Sequence, residues 1–448
     1  MKKRWIILTA FILLFALLGV VIPENASWST EGESIDYASV AWMITATIFV
    51  LMMTPGLSFF YGGMVRAKNV ISTMLQSFIA MGIISVIWVV FGFGLAFGDD
   101  IGGFIGNPAT YFMFRGVGAH VPAGAENLAA LNLTIPLALY ALFQMKFAII
   151  TPSLITGSFA ERVHFSAYLV FMCLFCVFVY CPLAHWTWHP EGFLNKLYVK
   201  DFAGGIVVHA SSGVAALVGA IFLGKRQSHA THRPANVPFV LLGAAMLWLG
   251  WFGFNGGSSL GANVQAVKAF LNTNTACATA MIVWVLFDCL RGHKPSAMGA
   301  AVGAVIGLVA ITPSAGWVSV GQSICIAVLT TSVCYIAVHW KNKTSVDDAL
   351  DVFPTHGVGG IFGTVLTGIF VYETTEITYF QSFIHHILAL VIVCGYTFVV
   401  TFLLYWITNK MIPFRVSEEN ETIGLDKSQH DEIYGMGMFF DDEAKDSN

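Results

Sequence analysis

Residues 201–217 read DFAGGIVVHASSGVAAL, an apolar run opened by a carboxylate and carrying one histidine, His209, near its middle. The solvent around that histidine follows from bulk composition. Of 448 residues, 56% are hydrophobic and 11% charged, where a soluble protein carries about 25% charged residues. Apolar runs of bilayer-spanning length, roughly 17 to 25 residues, recur along most of the chain, which therefore reads as a polytopic, all-α membrane protein. The formal net charge of −4 comes without a basic stripe or an aromatic-basic patch, which argues against a nucleic-acid partner. The eight cysteines lie mostly in apolar spans. The one CxxC pair, Cys173 and Cys176, lacks zinc-spaced partners and reads as packing.

Residues 1–26 combine a basic start, MKKR, with an apolar core, the pattern of a secretory signal. A removed signal peptide and a retained anchor both fit. Hydropathy then places about eleven spans, at roughly 37–65, 71–98, 133–160, 166–187, 202–224, 237–254, 261–290, 297–313, 317–338, 352–371 and 381–408. Lys and Arg concentrate in alternate connections: Arg66 and Lys68, Arg162, KRQSHATHR at 225–233, RGHK at 291–294 and KNK at 341–343. The other connections hold Asp99 and Asp100, Glu191, TPSAG at 312–316 and ETTE at 373–376. The positive-inside rule then puts the mature N-terminus outside and the tail, 412–448, in the cytoplasm of a cell-membrane protein. Five spans per half invert the second half, so the expected membrane domain, 37–411, is two inverted five-helix repeats plus one extra helix. In the fifth span Gly213 follows His209 by four residues, and in the tenth Gly360 follows His356 by four, a spacing that shares a helix face.

An ionisable group in mid-bilayer is a functional-site hypothesis. A neutral imidazole needs one donor and one acceptor contact. A second histidine supplies both, and so do backbone carbonyls and hydroxyls, so a functional pair and two structural residues are both open. Neither segment adds metal ligands at helical spacing, and no metal or cofactor is expected. Asp201 opens its span where a carboxylate caps free amides; a direct cation contact is the second reading. Aromatics are dense at span ends, in AHWTWHP (184–190), LFQMKF (142–147) and WLGWFGFNGGS (248–258). Most such rings form interface belts, while rings facing a vestibule hold cations.

The stretch DFAGGIVVHASSGVAALVGAIFLGKR (201–226) resembles the signature of the ammonium transporter family, the Amt, Mep and Rh proteins. So do FGFNGGS (252–258), AERVHFSA (160–167), VDDALDVFPTHGVGG (346–360) and IGLD in the tail, so that the likeness runs from about 37 to 434. The resemblance implies a homotrimer with a narrow pore in each subunit, passing ammonium or ammonia for nitrogen uptake. By motif position, Trp188 and Ser258 match an outer recruitment site with Phe143 as its third wall. Phe147 and Phe254 match a ring gate, His209 and His356 a pore-lining pair, and Asp201 the aspartate near the outer site. A PII-type regulatory protein at the cytoplasmic face is a further implied partner.

Three features depart from the family pattern. Lys146 precedes the gate residue where the family carries an uncharged residue, about thirteen residues into its span or roughly 20 Å deep. A pore-facing lysine there would repel ammonium. Lys268 is a milder oddity, within reach of water. In the tail, HDEIY (430–434) replaces the family's motif. Two other functions compete: an ammonium sensor of the same fold that signals to a separate partner, and a hydrolase built on GSSLG (257–261) around Ser259. The hydrolase motif requires a strand-turn-helix elbow.

Overall fold

The computed structural model describes residues 2–29, 35–120, 128, 130–227, 233–372 and 376–435. Parts of three sequence features, at 228–232, 373–375 and 436–448, lie outside the described residues. Helix α1 (Lys2–Val21) precedes the bundle. Eleven spans follow: α2 (Tyr37–Met64), α3 (Ala67–Phe97), α4 (Leu137–Ile155), α5 (Phe165–Lys196), α6 (Gly205–Leu223), α7 (Val237–Gly257), α8 (Val264–Leu290), α9 (Ala297–Ile311), α10 (Val320–Lys341), α11 (Phe353–Gly357 continuing as Val358–Phe370) and α12 (Tyr379–Met411). Every span expected from hydropathy is present, with ends shifted by at most five residues except in α5, which runs nine residues further through a break at 189–192.

Local chemistry sets many of the starts. Asp36 accepts from the Ala38 and Ser39 amides ahead of α2. Asn236, Asn263 and Ser296 cap α7, α8 and α9 in the same way. Ser319 with Gln322, and Thr378 with Gln381, form reciprocal capping boxes at α10 and α12. Each cap satisfies amides that helix geometry leaves without partners. A short hairpin, β1 (Asp100–Ile101) against β2 (Ile105–Gly106), closes the connection after α3.

The two halves are inverted, and glycines carry the contact between them. Helix α2 runs antiparallel to α7, so that Ala46 lies by Gly253, Met53 by Gly250 and Phe60 by Gly243. A methyl group on Gly243 would sit 2.3 Å from the Phe60 nitrogen, and one on Gly253 would sit 2.6 Å from the Ala46 carbonyl. The fifth helices of the halves, α6 and α11, meet in the same antiparallel sense. Small residues are what let membrane helices approach this closely, since lipid removes any hydrophobic drive between them.

The basic connections converge at one end of the bundle. Arg66 and Arg226 both bind the Glu161 carboxylate, at 2.8 and 2.9 Å, and Arg226 also binds Asp347 at 2.9 Å. Arg162, fully buried beside them, donates to the carbonyls of Ser158 and Asp347. The tail packs under this network: Arg415 pairs with Glu421, and Asp426 accepts from the Ile71 and Ser72 amides at the start of α3. At the opposite end, residues 24–27 after α1 hang on the α3–α4 connection through Gly116 N to Glu24 O and Ala119 N to Ser27 O.

Burial alone would raise the pKa of Glu161, but the Arg66 hydrogen bond and the Arg66 and Arg226 charges outweigh it and hold the carboxyl at about 2, below its usual 4.5. A depressed carboxyl pKa contributes stability above the unfolded value and loses it as pH falls through the folded one. Here that contribution is about 3 kcal/mol, lost between roughly pH 4.5 and 2. Thermal unfolding in detergent should show Glu161→Gln melting well below wild type at pH 7, with a flatter decline below pH 4.5. Parallel curves for the two proteins would contradict this.

Candidate functional site

Two aspartate–histidine–glycine triplets build the centre of the bundle. Asp201, His209 and Gly213 open α6; Asp348, His356 and Gly360 repeat the spacing at α11. Asp201 accepts from four successive amides, Gly204 to Val207, at 2.6 to 3.2 Å. Asp348 accepts from the Phe353 amide at 2.7 Å. Each carboxylate thus caps its span, and the capping reading of Asp201 is the one its hydrogen bonds satisfy. Each histidine then sits in a π-helical turn, Gly205–Ala210 and Phe353–Gly357, a local widening common at functional sites.

The glycines explain the four-residue offset. A methyl on Gly213 would fall 2.1 Å from the Gly357 nitrogen, and one on Gly360 would fall 2.8 Å from both the Ala210 nitrogen and the His209 Cβ. Each glycine therefore admits the other half's histidine turn. The result is a direct contact between His209 and His356, Nδ1 to Nδ1 at 3.3 Å with ring centroids 5.3 Å apart. One ring donates and the other accepts. Of the two alternatives open in the sequence, the paired arrangement is the one adopted. Both rings are nearly fully buried, and the His209 Nε2 has no partner among the described residues. The cavity around them is narrow and apolar, walled by Leu57, Ile150, Trp251 and Val305 among others. Trp251 stacks on His209 at 5.3 Å and anchors its own nitrogen on Thr312.

Toward the end that carries Asp100 and Glu191, two phenylalanines cover this cavity. Phe147 of α4 and Phe254 of α7 lie 4.2 Å apart at 30°, and Phe254 is 6.0 Å from His209. Above them opens a recess of about 600 Å³, lined by Trp188, Ser258, Phe147 and Asp201 together with Tyr140 and Gln144. Trp188 meets Phe147 edge-on at 5.8 Å and donates its indole N–H to the Asp201 carbonyl, which fixes the ring. The Ser258 hydroxyl donates to Phe254 O, leaving its lone pairs free to accept.

Phe143 is not among the residues lining the recess. It lies behind Phe147, edge-on at 4.9 Å and 1% exposed; Tyr140 and Gln144 hold that part of the wall. Lys146 lines neither cavity nor recess. It is half-buried, one turn from the exposed Leu142, and among the described residues its contact is the Met145 sulfur at 3.6 Å. Lys268 reaches the Trp317 carbonyl at the recess rim. Ser259 donates to backbone carbonyls of Gly256 and Gly261, in a turn between two helices and not after a strand, so the elbow a hydrolase needs is replaced by a helix-turn-helix. Asp348 escaped the sequence reading although its eight-residue distance to His356 equals that of Asp201 to His209.

Comparison with known proteins identifies the family. The profile described as Ammonium Transporter Family matches residues 41–434. The chain belongs to the ammonium transporter family. A putative ammonium transporter of Methanothermobacter thermautotrophicus is 42% identical over 403 residues, 88% of this chain and 97% of that relative. The crystal structure of Saccharomyces cerevisiae Mep2 superposes with a TM-score of 0.81 at 32% identity, covering 91% of this chain and 93% of that one. A solved structure titled Sensor Amt Protein is also similar, at 29% identity and a TM-score of 0.79, over 88% of this chain and 98% of that one.

The glycine contact gives a direct test of the site's construction. Gly360→Ala should cost on the order of 1–3 kcal/mol of stability through overpacking and push the His209 turn away from His356. Thermal unfolding measures the first effect and a structure of the variant the second; an unchanged Nδ1–Nδ1 distance would refute the argument.

Proposed function

We propose that ammonium transport by this protein follows the recess, the ring pair and the paired histidines in that order. Trp188 offers a π face and Ser258 an acceptor oxygen to an arriving ammonium ion, with Phe143 bracing Phe147 from behind. Beyond the rings an ion would lose its hydration, an idealised cost of about 20 kcal/mol that the apolar wall does not return. Ammonium can release a proton and cross as neutral ammonia, which potassium cannot. Phe147 and Phe254 swing apart to admit it, and the unpartnered His209 Nε2 is a hydrogen-bonding group waiting inside. The observation that carries this reading is the Nδ1–Nδ1 contact of two neutral-capable rings in an apolar cavity behind a closed ring pair.

The same reading assigns residues 1–26 as a signal or anchor, 37–411 as the membrane domain and 412–448 as a cytoplasmic tail, in the cell membrane with the recess outside. The convergence of basic connections and tail at the opposite end supports that orientation. The family resemblance supports a homotrimer, and the apolar groove beside Trp42, Val267 and Phe270 offers a subunit contact. A PII-type partner would meet the docked tail, in which His430 contacts Ser72 and Tyr434 contacts Asn236. The similarity to a protein titled a sensor keeps a second reading, in which recess occupancy alters this cytoplasmic surface with little flux.

Proteoliposomes subjected to an ammonium jump, with an internal pH dye and a potassium jump as control, decide between the two. Ammonium-specific current or internal pH change is expected, and saturable ammonium binding without either would favour sensing. His209→Ala and His356→Ala should alter conductance or ammonium-over-potassium selectivity in intact protein; wild-type responses in both would overturn the histidine assignment. Lys146→Met should leave the rate within about twofold, as expected of a side chain that lines neither the cavity nor the recess. A large rise would put that lysine in the path.

A further inference from the structure

The recess that receives ammonium under the reading above already contains an ammonium group of the protein's own. The Lys200 Nζ lies over the Trp317 ring, 5.5 Å from its centroid, and both residues line the recess together with Trp188 and Ser258. The placement is built from both sides. The Lys200 amide donates to His386 Nε2 at 3.0 Å, and two residues on the Phe202 amide donates to Pro313 O at 3.0 Å. The Trp317 ring is held edge-on by Phe202 at 5.0 Å, and its carbonyl takes the Lys268 ammonium at 2.7 Å.

The other two charged residues that line the recess, Lys196 and Asp201, are already engaged. Lys196 pairs with Glu191 at 2.5 Å. The Asp201 carboxylate is 6% exposed and engaged by four amides. Among the described residues neither Lys200 nor Lys268 has a carboxylate partner; Lys268 is engaged by the Trp317 carbonyl at the rim, which leaves Lys200 as the unmatched charge among the residues lining the recess. A cation over an aromatic face is held by the ring quadrupole, and that same face would serve a free ammonium ion.

We infer that Lys200 is a tethered competitor that sets the ammonium affinity of the recess. It occupies the Trp317 face and repels arriving cations, so half-saturation lies at a higher ammonium concentration than the aromatic recess would otherwise give. The inference rests on the recess being the recruitment site. Its physical components are one cation–π contact and one nearby like charge, which together correspond to about a threefold to tenfold change in affinity.

Isothermal titration of ammonium chloride into the purified wild-type protein and into Lys200→Gln, Lys200→Arg and Lys200→Gln/Trp317→Leu tests it, with flux measured separately in proteoliposomes. Lys200→Gln should bind about threefold to tenfold more tightly at low ionic strength, and Lys200→Arg should stay near wild type. The double variant should lose most of the gain, because the freed ring is what the ion uses. Added salt of a bulky cation should narrow the gap between wild type and Lys200→Gln by screening. Unchanged or weaker binding by folded Lys200→Gln would overturn the inference. Tighter binding with no flux in any variant would leave it standing and refute the transport reading instead.

Discussion

The antiparallel approach of α6 and α11 governs the rest of the site. Two histidines reach 3.3 Å only because a glycine one turn beyond each of them leaves space for the opposite turn. The π-helical widening then aims both rings into one cavity, and the capping carboxylates Asp201 and Asp348 fix where each turn begins. Nothing else in the cavity is polar enough to hold an imidazole. The pair satisfies one nitrogen of each ring, and the His209 Nε2 is left as an unmet polar group in an apolar wall, a cost that a hydrogen-bonding guest would relieve.

The path outward from that pair grades from apolar to polar over a few side chains. His209 is against Phe254, Phe254 against Phe147, and Phe147 against Trp188, whose indole nitrogen already reaches a backbone carbonyl near the recess. Each contact separates one solvation regime from the next. Charge is concentrated on the two ends: lysines around the recess, and the Arg66, Glu161, Arg226 and Asp347 network with the docked tail at the other.

Much of this was legible in the sequence because membrane helices announce themselves by length and apolarity. The spans, their alternation in basic connections and the repeated His-x-x-x-Gly spacing all follow from one-dimensional pattern. What the pattern lacked was rotation about each helix axis. Phe143 and Lys146 are three residues apart on α4, yet one backs the ring pair and the other, half-buried, lines neither cavity nor recess. Hydropathy is nearly uniform around such a helix, so neither direction could be read. Asp348 was missed for a different reason: it stands among the charged residues of VDDALD, where one buried capping carboxylate looks the same in sequence as its ion-paired neighbours Asp347 and Asp351.

The junction between the halves bears on how a transporter of this shape opens. Backbone meets backbone where Gly243 faces Phe60 and Gly253 faces Ala46, and Arg226 ties Glu161 of the first half to Asp347 of the second. Tilting one half against the other, as alternating-access carriers do, would break these contacts along the whole length of α2 and α7. Rotation of two phenyl rings disturbs none of them. Under the proposed route the scaffold serves as a rigid sleeve, and the parts asked to move are side chains at the mouth instead of whole halves.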